Sequence, residues 1–285
     1  MRKTLVYIAA MMLLGFSGCA PKDMGAADAS KMAEPKGQKI NAYYYAPFVD
    51  SATAQKKLQD AGFEVVATYK PTKKSETIVV TCPGLKKAAS KPTRGHAAVM
   101  RVLVDEENNR IAYTNPVYFE KAFLQDDYNF DIAKKVLSKL QSAFGNATPS
   151  PDVYDYDDLD GYHFMMGMPY YEDPYELGEG KNAELLAKLD NYKKGKMVVF
   201  KLELPNGSTL VGVDLDKRTK KFVKKIGTQN AEILPYTILI EDGKATALAA
   251  KYYIAISYPM LTMGEFMTIA TVPGAIEKDL EKPFK

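Results

Sequence analysis

The chain has 285 residues, 46% of them hydrophobic, with 38 basic against 35 acidic side chains; this is enough for a sizeable core and unlike the composition of a disordered or fibrous protein. A formal charge of +3 excludes the basic footprint of a nucleic-acid binder. Two histidines and two cysteines leave a His-rich metal centre, a His-based triad and a disulfide scaffold little to draw on.

Arg2 and Lys3 open the chain, residues 5–16 are apolar, and Ser17-Gly18 lead directly to Cys19. The apolar run is short for a membrane-spanning helix and has the order of an export signal. Phe16-Ser17-Gly18-Cys19 resembles the lipobox of bacterial lipoproteins, with Phe16 where leucine is usual. The resemblance implies removal of residues 1–18, a lipid on the Cys19 thiol and an acylated new amino terminus. Each buried CH₂ of such chains contributes roughly 0.8 kcal/mol, so palmitate-length chains together hold a protein to the bilayer. Ala20, rather than aspartate, follows Cys19, and by enterobacterial sorting rules this implies the periplasmic face of the outer membrane. Loss of Arg2 and Lys3 leaves 36 basic against 35 acidic residues. Residues 19–40, small and polar with Pro and Gly, read as a flexible tether.

Beyond the tether the sequence reads as two tandem domains, 41–145 and 162–285, joined by an acidic linker at 146–161. Matching segments recur in order. Tyr44-Tyr45-Ala46-Pro47-Phe48 pairs with Met166-Gly167-Met168-Pro169-Tyr170, Lys57-Leu58-Gln59-Asp60 with Lys188-Leu189-Asp190, and Val65-Val66 with Val198-Val199. Thr77-Ile78-Val79 pairs with Thr209-Leu210-Val211, Val102-Leu103-Val104-Asp105 with Ile238-Leu239-Ile240-Glu241, and Asn115-Pro116 with Tyr258-Pro259.

The first domain should open with a strand at 42–48. A helix follows, capped by Asp50 or Ser51, with Ala54, Leu58 and Ala61 on one face and Gly62 at its end. Strands at 64–69 and 77–81, a short helix at 85–89 and a hairpin at 99–104 and 110–114 come next; the hairpin turn carries the Asp and Asn it needs. Ile132, Val136, Leu140 and Phe144 mark a last helix stopped by Gly145. The second domain should repeat this: a strand at 162–170, a helix capped by Asn182, strands at 197–204 and 209–213, a helix at 217–225, and a hairpin at 236–240 and 245–249. Strands mixed with helices without strict alternation predict an α+β fold of two two-layer α/β sandwiches.

The segments TIVVTCPGLKKAA and AVMRVLVDEENNRIAYTNPVYFEKAF, and their counterparts TLVGVDLDKRTKKFV and ILPYTILIEDGKATALAAKYYIAISYPMLTMGEF, resemble the bacterial family known as domain of unknown function 302. The similarity covers 43–125 and 162–270, with Asp214 where Cys82 would fall. It implies a compact α/β domain that tends to pair, and so an internal pseudo-dimer or a homodimer. It supplies no agreed activity and no catalytic residues.

Chemistry-bearing residues are few. His163, Met165, Met166 and Met168 offer soft donors suited to copper or haem iron. On a strand His163 and Met165 would share one side and Met166 and Met168 the other. A second group is Met260, Met263 and Met267. Against this stands the commoner use of methionine to fill irregular core space. Cys82, between a strand and a predicted helix start, is either a reactive thiol or a buried inert one. The run from Asp155 to Gly161 fails as a calcium loop, because Gly161 at the sixth position would make Tyr156 the first ligand. G-x-x-x-x-G-K-[ST], H-E-x-x-H, G-x-S-x-G and S-x-x-K are absent, which argues against the corresponding enzymes.

The expectation is therefore a lipid-anchored, noncatalytic protein without a cofactor, binding a small ligand or a periplasmic protein partner. Its site should lie where Tyr43, Tyr44 and Tyr45 meet Tyr162, Tyr170 and Tyr171 in a half-polar aromatic surface. The alternative is a redox protein carrying copper or haem on His163 and Met165, or using Cys82. Cys19→Ser should abolish metabolic labelling by a palmitate analogue and release the protein from membranes; an unchanged membrane fraction would contradict the anchor.

Overall fold

A computed structural model describes residues 28–145 and 147–285. The export signal, Cys19 and the first part of the tether lie outside the described residues. Lys39–Asn41 (β1) and Tyr43–Pro47 (β2) lead into Ser51–Asp60 (α1). Asp50 caps α1 by accepting the Thr53 N–H at 3.0 Å, and Ala54 and Leu58 form the buried face. Glu64–Thr72 (β3), Ser75–Thr81 (β4), Pro83–Ala88 (α2), Met100–Asp105 (β5) and Arg110–Thr114 (β6) follow. The β5–β6 turn uses Asn109 in the left-handed region at φ 50°, which asparagine tolerates. Pro116–Leu124 (α3) is buried nearly all round, as a helix without a polar face must be. Phe130–Phe144 (α4) is amphipathic, with Asn129 accepting the Ile132 N–H at its start.

The chain continues through Thr148–Pro149 (β7), Val153–Asp155 (β8), Tyr175–Glu179 (β9), Asn182–Asn191 (α5), Val198–Glu203 (β10), Thr209–Val213 (β11), Tyr236–Glu241 (β12) and Lys244–Ala247 (β13). Ala250–Ser257 (α6), Met263–Thr268 (α7) and Val272–Glu281 (α8) complete it. The fold is α+β. One sheet has the order β3-β4-β5-β6-β2-β7 and a second the order β10-β11-β12-β13-β9, while β1 and β8 pair separately. Without β7, the two sheets run through their strands in the same order.

Three expectations need correction. Residues 162–170 are not a strand. Gly167 sits at φ 81° and the Met168 N–H closes a turn onto the Met165 carbonyl at 2.9 Å, so strand alternation does not apply to His163, Met165, Met166 and Met168. The strand that takes this place is β9, after Pro174. Residues 146–161 are not a free linker either: β7 adds to the edge of β2, and β8 pairs with β1 from the tether. Around that pair, Tyr156 and Leu159 are buried. Finally, Asn182 is inside α5 rather than its cap; its Oδ1 accepts the Gly243 N–H at 2.9 Å and ties the helix to the β12–β13 turn.

The central strands β5, β11 and β12 are buried along almost their whole length. A sheet strand reaches that state only when both faces are covered. Part of the cover comes from the opposite half. The 3₁₀ segment Gly95–Ala98 lies against β11 and β12, and the 3₁₀ segment Thr228–Ile233 lies against β3, β4 and β5. β3 and β10, the edge strands facing one another, are also in contact, which keeps both edges from open pairing. The approach at Gly95 is close: a Cβ there would stand 2.3 Å from Leu239 Cδ1. Leu239 is itself buried and would have to change rotamer to make room. Gly95→Ala should therefore lower stability by about 1–3 kcal/mol, the usual cost of overpacking, seen as a lower urea midpoint; an unchanged midpoint would show that the seam yields freely.

Candidate functional site

Where the two halves meet, aromatic rings form a continuous chain. Tyr258 stacks on Tyr43 (6.4 Å between centroids), Tyr43 meets Phe119 (5.6 Å), Phe119 meets Phe123 (5.7 Å), and Phe123 stacks on Tyr171 (5.8 Å). Tyr171 then meets Tyr252 (6.0 Å), which meets Tyr162 (6.1 Å). Such pairs are each worth about 0.5–1.5 kcal/mol beyond their buried area.

The hydroxyls are placed with equal care. Tyr118, third residue of α3, donates to the carbonyl of Ile256, seventh residue of α6, at 2.9 Å. Tyr252, third residue of α6, donates to the carbonyl of Ala122, seventh residue of α3, at 3.4 Å. Each acceptor lies in the last turn of its helix, where carbonyls lack an intrahelical partner. Burial pushes the Tyr43, Tyr118, Tyr236, Tyr252 and Tyr258 hydroxyls well above their ordinary pKa, so they remain protonated.

Two titratable side chains sit at matched places in this seam. His96 is four residues before β5 and Glu232 four residues before β12. His96 Nδ1 is 3.0 Å from Thr237 Oγ1 on β12. Burial, then the neighbouring Arg101, pushes the imidazole down to about 3. Glu232 faces a void of about 10 Å³ shared with Tyr43, Arg101, Thr114, Tyr253 and Ser257. Burial pushes its carboxyl up to about 8, against the smaller pull of its own backbone N–H and of Arg110, while Asp152 and Asp105 add to the rise. Glu120 on α3 is fully buried with neither oxygen hydrogen-bonded, and burial raises it well above the carboxylate range.

Two open clefts flank the seam. The first, about 400 Å³, is walled by Pro92, Thr93, Arg94 and His96 from one half and by Tyr171, Glu172, Leu239, Glu241, Lys244 and Leu248 from the other. Its wall is braced: the Thr93 N–H donates to Glu241 Oε2 at 2.7 Å, the Tyr171 hydroxyl donates to the Thr93 carbonyl at 2.6 Å, and Arg94 lies over the Tyr171 ring. The second, about 500 Å³, is lined by Tyr45, Arg110 and Asp152 from the first half and Asn230, Tyr258 and Met260 from the second. There the Arg110 guanidinium stacks 3.7 Å above the Tyr45 ring.

Of the expected tyrosines, Tyr43, Tyr162 and Tyr171 reach the seam as part of its interior, whereas Tyr44 stacks on Tyr113 inside the first half's own core. Tyr43, Tyr44, Tyr162 and Tyr171 are buried, so the wet aromatic surface is replaced by a packed one with Tyr171 and Tyr45 at the two clefts. Tyr170 is exposed and lies against the His163 ring at 4.5 Å. Cys82 is buried at the start of α2, with no disulfide partner among the described residues. Met165 and Met166 are 45% and 95% exposed, not core fillers, and Met260, Met263 and Met267 are exposed as well. Phe164 stacks on Phe266 at 5.2 Å, joining both methionine groups on one surface. Among the described residues no group of three or more His, Cys, Asp or Glu side chains is placed to hold a metal ion, and no helix is long and apolar enough to cross a membrane. The cleft residues Thr93, Arg94, Glu241 and Lys244 escape sequence reading; only the turn-rich segment before β5 and the polar ends of the β12–β13 hairpin hint at them.

Compared with known families, curated proteins and solved structures, the chain gives no match in any of the three.

The matched pair has opposite pH consequences. Folded His96 resists a proton that the unfolded chain accepts below about 6.5, so its contribution is present above that pH and lost as pH falls. Folded Glu232 keeps a proton that the unfolded chain releases above about 4.3, so its contribution is present at low pH and lost as pH rises through about 8. Relative to wild type, His96→Gln should gain stability progressively below pH 6.5. Glu232→Gln should gain between pH 4.5 and 8. Each gain should reach roughly 1.4 kcal/mol per pH unit at most, read from urea midpoints across pH; parallel wild-type and variant profiles would show that neither group stays buried.

Proposed function

We propose that this protein is a lipid-anchored envelope protein, held by acylated Cys19, that binds a small ligand or a protein partner noncatalytically in the first seam cleft. Support comes from one observation above the rest: a cleft of about 400 Å³, built jointly by the two halves, with an apolar floor of Leu239 and Leu248 and a few polar groups at fixed positions. Binding sites commonly have this size and lie between structural units. We also propose that the halves are copies of one domain resembling the domain of unknown function 302, paired as an internal pseudo-dimer. Their strand order and the matched positions of Tyr118 and Tyr252 support this, since reciprocal contacts characterise two-fold pairing.

A second reading, a copper- or haem-linked redox protein, draws support from the contact between Phe164 and Phe266 that gathers the two methionine groups near His163. Native mass spectrometry, an optical spectrum and metal analysis of protein extracted from its own membranes separate the two. The binding reading predicts a colourless, metal-free protein carrying an adduct that Thr246→Trp, which fills the cleft from β13, removes without loss of fold. A mass equal to polypeptide plus lipid chains, with no partner crosslinked from Glu172, would overturn it. A Soret band or stoichiometric copper lost in His163→Ala would establish the redox reading.

A further inference from the structure

Beside the contact of β3 with β10, where the Tyr69 hydroxyl donates to Asp214, a third pocket of about 170 Å³ gathers basic side chains distant in sequence. Lys193 and Lys196 come from the turn after α5, Lys217 and Lys220 from the segment after β11, and Lys282 from just beyond α8. Tyr192, Met197 and Leu215 supply its apolar wall, and Asp214, Asp216 and Asp279 also line it.

The three aspartates are already engaged. Lys220 Nζ binds both Asp214 oxygens at 2.9 and 3.0 Å. Asp216 accepts from Lys193 at 2.7 Å and Lys282 at 2.6 Å, and these ammoniums, Lys193 first, hold its carboxyl at about 2. Asp279 accepts from Lys282 at 2.6 Å and from the Asp216 N–H at 3.1 Å. The carboxylates therefore position lysines. Lys196 and Lys217 line the same pocket without an acidic partner among the described residues.

The count sets the ligand charge. Five ammoniums against three carboxylates leave two positive charges in one small pocket. Its surroundings add to the field: Lys194, Arg218, Lys221, Lys224 and Lys225 are exposed nearby in sequence, and residues 217–225 contain no acid. Such a local field, in a chain near neutrality, concentrates anions. Lys193 and Lys194 also hold consecutive left-handed backbone conformations at φ 49° and 58°, a strained arrangement that aims this turn at the pocket.

We propose that this pocket binds a phosphate-bearing anion. A phosphate monoester carries close to two negative charges at neutral pH and several acceptor oxygens, matching the excess charge and the multiple point-charge donors that lysine supplies. The volume admits one phosphate group with its nearest atoms. Two sources share this chemistry, free phosphate and a phosphomonoester lipid headgroup.

The test uses the whole folded protein at low salt. Calorimetric titration with inorganic phosphate reads the first source, and sedimentation with phosphatidylcholine vesicles, with and without phosphatidic acid, reads the second. Wild type should bind phosphate, or vesicles only when phosphatidic acid is present, and binding should weaken with salt. Lys196→Gln/Lys217→Gln, both exposed, should weaken it about tenfold or more, while Lys73→Gln/Lys74→Gln on the β3–β4 turn should not. Binding of phosphate identifies the free anion, and binding of vesicles alone identifies the headgroup. Absence of both, or equal losses in the two double variants, would overturn the proposal.

Discussion

Two tyrosine hydroxyls, each donated to the last turn of the other half's helix, are the constraint on which the rest of the structure depends. Tyr118 and Tyr252 are fully buried and need acceptors; a buried hydroxyl without one costs as much as a lost hydrogen bond. The carbonyls of Ile256 and Ala122 lie in last turns, where they lack an intrahelical partner, and the Ala122 carbonyl also accepts from the Gln125 side-chain amide. One exchange therefore satisfies both helices at once. It also orients α3 and α6 so that Phe119, Phe123, Tyr253 and Tyr171 pack between them. This suits tyrosine rather than tryptophan at these seam positions: the seam calls for an aromatic body with a hydroxyl at its tip.

That seam explains the burial of the sheets. β5, β11 and β12 carry apolar residues on both faces, and neither half has enough helix to cover them. Each half lends a short 3₁₀ segment to the other, and each segment brings one titratable residue into the interior. His96 finds a hydroxyl on Thr237, whereas Glu232 faces a water-sized void and stays protonated. The same geometry gives opposite electrostatic behaviour because the side chains differ. The clefts open where the borrowed segments end and the sheet surface is no longer covered.

Two surfaces lie outside this logic. The methionines around Phe164 and Phe266 are exposed where core packing would have hidden them, and the lysines around Asp214, Asp216 and Asp279 converge from three separate turns. Neither is needed to bury the sheets. In the basic pocket the Asp216 pairs are half-exposed, so their contribution to stability is small. Their clearer effect is geometric, holding ammoniums of like charge closer than they would otherwise settle.

Much of the local structure was legible in the chain. Asp50 caps the helix its position suggests, Arg110–Thr114 and Thr209–Val213 are strands with the expected bounds, and the α+β class follows from their arrangement. These features depend on neighbours a few residues away, which periodicity and turn chemistry report. The failures share a cause. Residues 162–170 look like a strand by composition, yet Gly167 and the Met165–Met168 turn prevent pairing, and the partner edge of β13 is taken by Tyr175–Glu179. Residues 146–161 look like a solvated linker, yet they find β2 and β1 across the fold. Tyr43, expected on a wet aromatic surface, is buried, and His96, Glu232 and Lys217 gave no local sign of their places, for the same reason. Burial, pKa and convergence depend on which distant surfaces meet, and only the tertiary structure decides that.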